Sequence, residues 1–249
     1  MYEINWNVRS NVVQNYLNVC RHAASDASAF DTFKSNPNYT PILEHGLFEL
    51  GGSHLRSIQA NNPYLLTEYP LIWDNDNYGS PIKHDYGFKN CSSTTLQYIN
   101  VLSNIINLIG SLDNYSIVEI GGGYAGQAKI ITDVFKIKQY DIVDLHDVSL
   151  LQNTYIKKTN TLNVVAHSID TFVPNDSYDL LISNYALTEV TEPQQSWYVE
   201  NILMRATHGY ITCNGPINKL KLLTDKHGDN LKTLPDVDGE RQSNYIIIW

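Results

Sequence analysis

Ile117-Val118-Glu119-Ile120-Gly121-Gly122-Gly123-Tyr124-Ala125-Gly126 is the stretch that decides the fold. A short apolar run passes into three consecutive glycines. A fourth glycine follows before Gln127, Ala128, Ile130 and Ile131 begin a helical pattern. Glycines let a backbone turn sharply and approach a ligand closely, here at the positive end of a helix. The register is also Gly-x-Gly-x-x-Gly, a weak dinucleotide signal alone and a better one between a strand and a helix. Asp144 closes the next apolar run, about 20 residues on, where a carboxylate can hold ribose hydroxyls. On these residues alone, NAD is one cofactor that fits.

Outward from the turn, strand and helix alternate. Strands are expected over 116–120, 140–144, 163–167, 178–184, 209–213, 230–234 and 244–249. Helices are expected over 125–135, 148–158, 194–206 and 217–226. Runs such as Leu180-Leu181-Ile182 suit a parallel sheet covered on both faces. The last two strands leave no room for a crossover helix, so they are antiparallel neighbours or lie at different edges.

Residues 1–110 are polar, aromatic and Asn-rich. A helix is expected over 11–22 and another over 40–58, the second weakened by Gly46, Gly51 and Gly52. Residues 61–90 read as a long loop. Over 94–109, Leu96, Ile99, Leu102, Ile105, Ile106 and Ile109 form one helical stripe that Gly110 stops. The chain therefore divides into a helical cap with a substrate-covering loop, 1–110, and a cofactor-binding domain, 111–249.

Composition narrows the function. The 249 residues carry 17 Lys and Arg against 26 Asp and Glu, a formal net charge of −9. That balance argues against a nucleic-acid or anionic-membrane partner. Cys20, Cys91 and Cys213 form no Cys-x-x-Cys pair and read as free thiols of a reducing compartment. No signal-peptide pattern opens the chain, and no apolar stretch approaches the ~20 residues of a membrane helix. The expected location is cytoplasmic, and a homo-oligomer is left open.

The sequence resembles the class I S-adenosylmethionine-dependent methyltransferases, and within them the sugar O-methyltransferase family of bacteria and viruses. The resemblance rests on VEIGGGYAGQAKI at 118–130, YDIVDLHDVSLLQNTYI at 140–156, DLLISNYALTEV at 179–190 and GYITCNG at 209–215, with a fainter match at STTLQYINVL, 93–102. It implies an α/β fold: a Rossmann-like seven-stranded methyltransferase sheet, last strand antiparallel, with an N-terminal helical cap. It implies S-adenosylmethionine as cofactor and a sugar or nucleotide-sugar as acceptor. Glu119 and Gly121, Gly122 and Gly123 would line the methionine part and the ribose side. Asp144 would accept from both ribose hydroxyls and Leu145 would pack on the adenine. Ser168 and Ile169 would meet the adenine edge, with Asn184 and Tyr185 where methyl meets acceptor. His146 stands where the family pattern has a proline, and Gln97 where it has an arginine.

An acidic Glu119 before the glycines also suits a cationic donor, since a sulfonium and an α-amino group both favour nearby negative charge. Methylating a sugar hydroxyl needs in-line geometry and removal of a poorly acidic proton. Glu189, just past the fourth strand, is one candidate base; His84, beside Asp85, is a second; His146, two residues after Asp144, is a third. The stretch holding Asn184, Glu189 and Glu192 lacks an Asp pair, so Mg²⁺ is not expected, and no zinc-ligand spacing is present. Tyr39, Tyr64, Tyr69, Tyr78, Tyr86 and Trp73, with Asp74 and Asp76, are residue types that bind sugars. Lys83, Lys89 and Arg56 are the cations for an acceptor diphosphate, and the 235–241 loop should approach the substrate mouth. The alternatives are a methyltransferase acting on a non-sugar small molecule or a protein, and a non-catalytic cofactor-binding module.

Overall fold

The computed structural model describes residues 11–44, 46–236 and 244–249. Its centre is a seven-stranded sheet. The strands are β1 Ser116–Ile120, β2 Gln139–Asp144, β3 Val164–Ser168, β4 Tyr178–Asn184, β5 Ala206–Cys213, β6 Lys232–Pro235 and β7 Tyr245–Ile248. The order is β3-β2-β1-β4-β5-β7-β6. β1 to β5 are parallel, and β7 runs antiparallel between β5 and β6. This is the α/β sheet that the resemblance implies. The chain moves outward from β1 to β3, then returns to β4 on the other side of β1. That reversal leaves a crevice at the carboxyl edge, where ligands bind in such sheets.

The helices are α1 Asn11–Ser25, α2 Ala27–Thr32, α3 Phe48–Asn61, α4 Ser93–Ile109, α5 Gly126–Val134, α6 His146–Thr159, α7 Ala186–Glu189, α8 Glu192–Asn201 and α9 Leu220–His227. Alternation along each strand feeds two cores. Ile117, Ile142, Leu180, Ile182 and Tyr210 pack with the stripe of α4, with α5 and α6, and with the N-terminal region. Val118, Val143, Leu181 and Ile211 face Tyr198, Val199, Leu203 and Leu223 on the opposite side.

Several boundaries differ from the sequence expectation. The helix expected over 40–58 begins only at Phe48. A Cβ on Gly46 would lie 2.8 Å from Ser93 Cβ, so this connection runs tightly against α4. The helix expected over 194–206 stops at Asn201, and Ala206 already opens β5. Residues 61–90 are not bare loop. They hold two 3₁₀ segments, Pro63–Leu66 and Pro70–Asn77, and a ribbon pairing His84–Asp85 with Asn90–Cys91. Side chains supply the bonds here. Asn62 Nδ2 donates to Ser103 and Asn107 of α4. Asp76 accepts from Ser92 N at 2.6 Å and from the Ser92 and Thr95 hydroxyls, both at 2.7 Å, which anchors the start of α4.

Asn75, fully buried, sits at the centre of this segment. Its amide donates to Thr95 Oγ1 at 2.7 Å and to Tyr124 Oη at 2.9 Å, while its Oδ1 accepts from Tyr155 Oη at 2.6 Å. Its backbone carbonyl accepts from Lys34 Nζ at 2.8 Å. The three cysteines Cys20, Cys91 and Cys213 are free and buried. Among the described residues no helix is long and apolar enough to cross a membrane.

Replacing Asn75 with Ala strands the hydroxyls of Tyr124 and Tyr155 in the interior, while Thr95 keeps its bond to Asp76. Each buried group left unpaired costs about 1–3 kcal/mol, so N75A should lose about 2 kcal/mol or more in urea unfolding. A loss below about 0.5 kcal/mol, the scale of a neutral surface change, would contradict this account.

Candidate active site

The glycine turn closes the carboxyl end of β1. Gly121 and Gly123 have φ of +71° and +56°, which favour glycine. A Cβ on Gly121 would fall 2.1 Å from Ala186 Cβ, and one on Gly122 2.5 Å from Ile142 Cγ2. Nothing larger fits. The turn after β1 thus touches the start of α7 beyond β4, joining the two sides of the crevice. A Cβ on Gly123 would come 3.2 Å from Leu43, so the N-terminal region closes over the turn.

Asp144 stands beside the turn. Its Oδ1 accepts from Leu145 N and its Oδ2 from Gln152 Nε2, both at 2.8 Å. Gln152 Nε2 also donates to Gly123 O at 2.9 Å, tying the end of β2 to the glycines. Each carboxylate oxygen retains a lone pair for a further donor. Burial pushes the Asp144 carboxyl up to about 7, against the two bonds. Ile169 N donates to Asp144 O at 2.8 Å, which brings Ser168 and Ile169 alongside. The half-buried Leu145 follows directly. Gln152 was not singled out from the sequence; its signal is a position two helical turns past Asp144, on the buried side of α6.

Glu119 lies under the turn, 1% exposed, and accepts from Tyr140 Oη at 2.9 Å. Burial, and the Asp144 charge behind it, push this carboxyl up to about 8. It is therefore largely protonated at neutral pH until a cation approaches.

The far side of the crevice is β4 and its exit. Asn184 pairs in register with Thr212, whose Oγ1 donates to Asn184 Oδ1 at 3.1 Å. Tyr185 takes φ +65° and donates from Oη to Asp236 Oδ2 at 2.7 Å. Asp236 belongs to the 235–241 loop, of which residues 237–241 lie outside the described residues.

The three base candidates are dispersed. Glu189 ends α7 at the surface and accepts from Asn214 Nδ2 at 2.9 Å. His146 is exposed at the first position of α6. His84 is half-buried in the ribbon, its ring 5.8 Å from that of Phe48. The structure brings together Glu119, Gly121–Gly123, Asp144, Leu145, Ser168 and Ile169 on one side of the crevice, and Asn184 and Tyr185 on the other, and leaves Glu189, His146 and His84 outside this group.

The aromatic and acidic residues weighed for a sugar have structural partners. Tyr39 packs on Tyr16 and Phe33, Tyr78 on Phe30 and Tyr155, and Tyr86 stacks on Phe48. Tyr64 faces Tyr69, and Trp73 faces Phe88 with Lys89 over its ring. Asp76 is taken up by Ser92 and Thr95, Asp74 accepts from Asn77 Nδ2, and Arg56 donates to Ser53 Oγ.

Other buried polar atoms have no hydrogen-bond partner. These include both ring nitrogens of His54, Asn100 Oδ1, Asn184 Nδ2 and Gln127 Oε1. Among the described residues no group of three or more His, Cys, Asp or Glu side chains is arranged to hold a metal ion. Two surface cavities, of about 470 Å³ beside α1 and α2 and about 420 Å³ beside Trp249 and His227, include neither the glycines nor Asp144 in their walls.

No protein-family model matches the chain, and no curated protein matches it. Solved structures are similar to it in part. The YcgJ protein of Bacillus subtilis is 14% identical, with 47% of this chain and 51% of that one covered and a TM-score of 0.40, so the match spans about half of that protein. TrmK of M. capricolum, in complex with S-adenosylhomocysteine, is 13% identical over 58% of this chain and 66% of its own, with a TM-score of 0.40. Magnesium protoporphyrin IX methyltransferase of Synechocystis PCC 6803, with bound S-adenosylmethionine, is 10% identical over 77% of this chain and 95% of its own, with a TM-score of 0.45.

Proposed function

We propose that this chain is an S-adenosylmethionine-dependent methyltransferase acting on a hydroxyl of a sugar, free or nucleotide-linked. One observation carries the reading. The Asp144 carboxylate, with a lone pair open on each oxygen, is tied through Gln152 to a glycine turn that no Cβ could enter. When bound, the cofactor supplies a methyl group activated on a sulfonium. Asp144 accepts from the two ribose hydroxyls, and Leu145 and Ile169 offer apolar surface to the adenine. Ser168 offers a hydroxyl at the adenine edge. Gly121 to Gly123 admit the methionine part, and Glu119 loses its proton to neutralise the approaching cation.

The acceptor class rests on the resemblance of residues 118–130, 140–156, 179–190 and 209–215 to sugar O-methyltransferases. The region before β1 covers the acceptor side, and the sheet from β1 onward carries the cofactor.

Calorimetry tests the cofactor. Wild type should bind S-adenosylhomocysteine, and D144A should lose about 1–3 kcal/mol, roughly 5- to 150-fold, because it leaves ribose hydroxyls unpaired. Binding of NADH without S-adenosylhomocysteine would refute the assignment.

The raised carboxyls give a second test. The bound form needs both Asp144 and Glu119 ionised, while the free site holds them near 7 and 8. Binding therefore releases protons, and affinity for S-adenosylhomocysteine should rise as pH goes from 6 to 8. E119Q should flatten the upper part of that rise. Affinity that stays constant or falls over this range would contradict the role given to these carboxyls.

A further inference from the structure

We propose that the cavity of about 420 Å³ beside Trp249 and His227 binds a small amphipathic anion, an aromatic body carrying one carboxylate. The cavity lies under the end of α4, against the beginnings of β4, β5 and β6 and the end of β7. Its size falls within the roughly 300–1,000 Å³ of small-molecule pockets. It is a second site, distinct from the crevice at the carboxyl edge. His208, in its wall, and Thr212, beside Asn184, are four residues apart on β5, about 13 Å along a strand.

Strand register builds its floor. Lys232, Ile248 and Tyr210 lie side by side across β6, β7 and β5, and His208 lies beside Leu180 of β4. Residues directly opposite share a face of the sheet, and so do His208 and Tyr210, two apart on one strand. Leu180, Tyr210 and Ile248 are buried, and Ile105 of α4 closes over them. The Tyr210 hydroxyl already accepts from Asn104 Nδ2 at 3.0 Å, so the floor asks only for apolar contact. α4 ends at Ile109, and Leu108 is 41% exposed at the mouth. The end wall is the Trp249 indole, 5.1 Å from the His227 ring. A Cβ on Gly209 would fall 2.2 Å from that indole, so the glycine lets the ring lie across β5. The Trp249 carbonyl is taken up by Gly209 N at 3.2 Å.

The rim has the opposite chemistry. Lys232, Thr207 and Asn230 are exposed there and His208 is half-buried, and no Asp or Glu is among the described lining residues. Lys232 has no ion-pair partner among the described residues. In a chain of net charge −9, a cavity walled by a lysine and two histidines without a carboxylate favours an anion. A carboxylate seated at the rim pairs with Lys232 and accepts from Thr207, Asn230 and an imidazole N–H. The rings of Tyr210, His227 and Trp249 favour an aromatic body below it. A cation would find no counter-charge, and a polyol would leave the apolar floor unfilled. The lining is gathered from α4 and four strands, so no local motif in the sequence marks it.

Calorimetry with 2-naphthoate tests the site, beside its neutral counterpart 2-naphthamide and the cation 2-naphthylmethylammonium. Wild type should bind 2-naphthoate saturably, one per chain, and the amide and the ammonium at least about tenfold more weakly, because they forgo the charge-assisted bonds. K232Q should weaken 2-naphthoate at least about threefold, the scale of one exposed ion pair, and leave 2-naphthamide unchanged. L108W should fill the mouth and weaken both naphthoate and naphthamide. Lys232 and Leu108 are both exposed, so these substitutions spare the fold. Excess S-adenosylhomocysteine should leave 2-naphthoate bound. No saturable 2-naphthoate binding by wild type overturns the proposal, as does displacement by S-adenosylhomocysteine, which would put the ligand in the other crevice. Amide or ammonium binding as tight as that of 2-naphthoate overturns the assignment to an anion. Affinity for 2-naphthoate unchanged in K232Q or in L108W overturns the assignment to this cavity.

Discussion

The glycine turn depends on a polar hub that it does not itself contain. Tyr124, inside the turn sequence, is fully buried, with its hydroxyl held by Asn75 and its ring 3.8 Å under Lys34 Nζ. Lys34 is also fully buried, so its ammonium has lost its water and has the Asn75 carbonyl and the Tyr124 face in return. Burial pulls this ammonium down to about 8, opposed by Glu44 and Asp76, and Glu44 in turn is pushed up to about 7. Removing one member of such a set leaves the others charged or unpaired in the interior, which is strongly destabilising even where the intact set adds little net stability. Through Asn75 the hub also holds Thr95 of α4 and Tyr155 of α6. The N-terminal region and the sheet are thereby fixed against each other at the point where the candidate site needs them fixed.

From that anchor the crevice is built by close approach. Gly121 and Ala186 nearly touch, so the strands on either side of the switch point exit into one wall. Tyr185, a bulky residue at φ +65°, is held by its N–H on Thr212 O and its hydroxyl on Asp236. Left-handed backbone at a non-glycine residue persists only where the surroundings over-determine it, and such positions gather at functional sites. The strain sits where β4 hands its last side chain, Asn184, to the crevice.

The parts legible in the sequence are those encoded locally. The strands of the sheet, the glycine turn and Asp144 announce themselves through apolar runs and glycine spacing within a few residues. The stripe of α4 does the same. Side-chain bonds across the chain leave no such trace. Asn75 meets Tyr155, 80 positions away, and Asn104 meets Tyr210, 106 positions away. Residues 61–90 have no apolar period because amides, carboxylates and hydroxyls do the ordering, so a reading by hydrophobic pattern sees only a loop. The aromatic richness of the N-terminal region suggested ligand contacts, yet its rings mostly pack on one another. Gln152 gained meaning only when its shared partners, Asp144 and Gly123, could be seen.

The two carboxyls of the candidate site place it under tension without a ligand. Glu119 and Asp144 are both buried enough to be pushed up, to about 8 and about 7, and the Asp144 charge raises Glu119 further. Glu119, 1% exposed, is the cleaner case, since an edge of Asp144 reaches solvent. A carboxyl whose folded value lies above its unfolded one holds a proton that the unfolded chain has released. Its contribution is fully present below the unfolded range, near 4, and is lost as pH rises through 7 to 8. The folded protein is thus least favoured by these groups at the pH where they would be ionised. A ligand that brings a positive charge to Glu119 and hydroxyl donors to Asp144 reverses the sign of both effects, so its binding adds stability through the residues that were destabilising. In a site that keeps its acids protonated until a cationic ligand arrives, the charge that appears on Glu119 is paired as it forms.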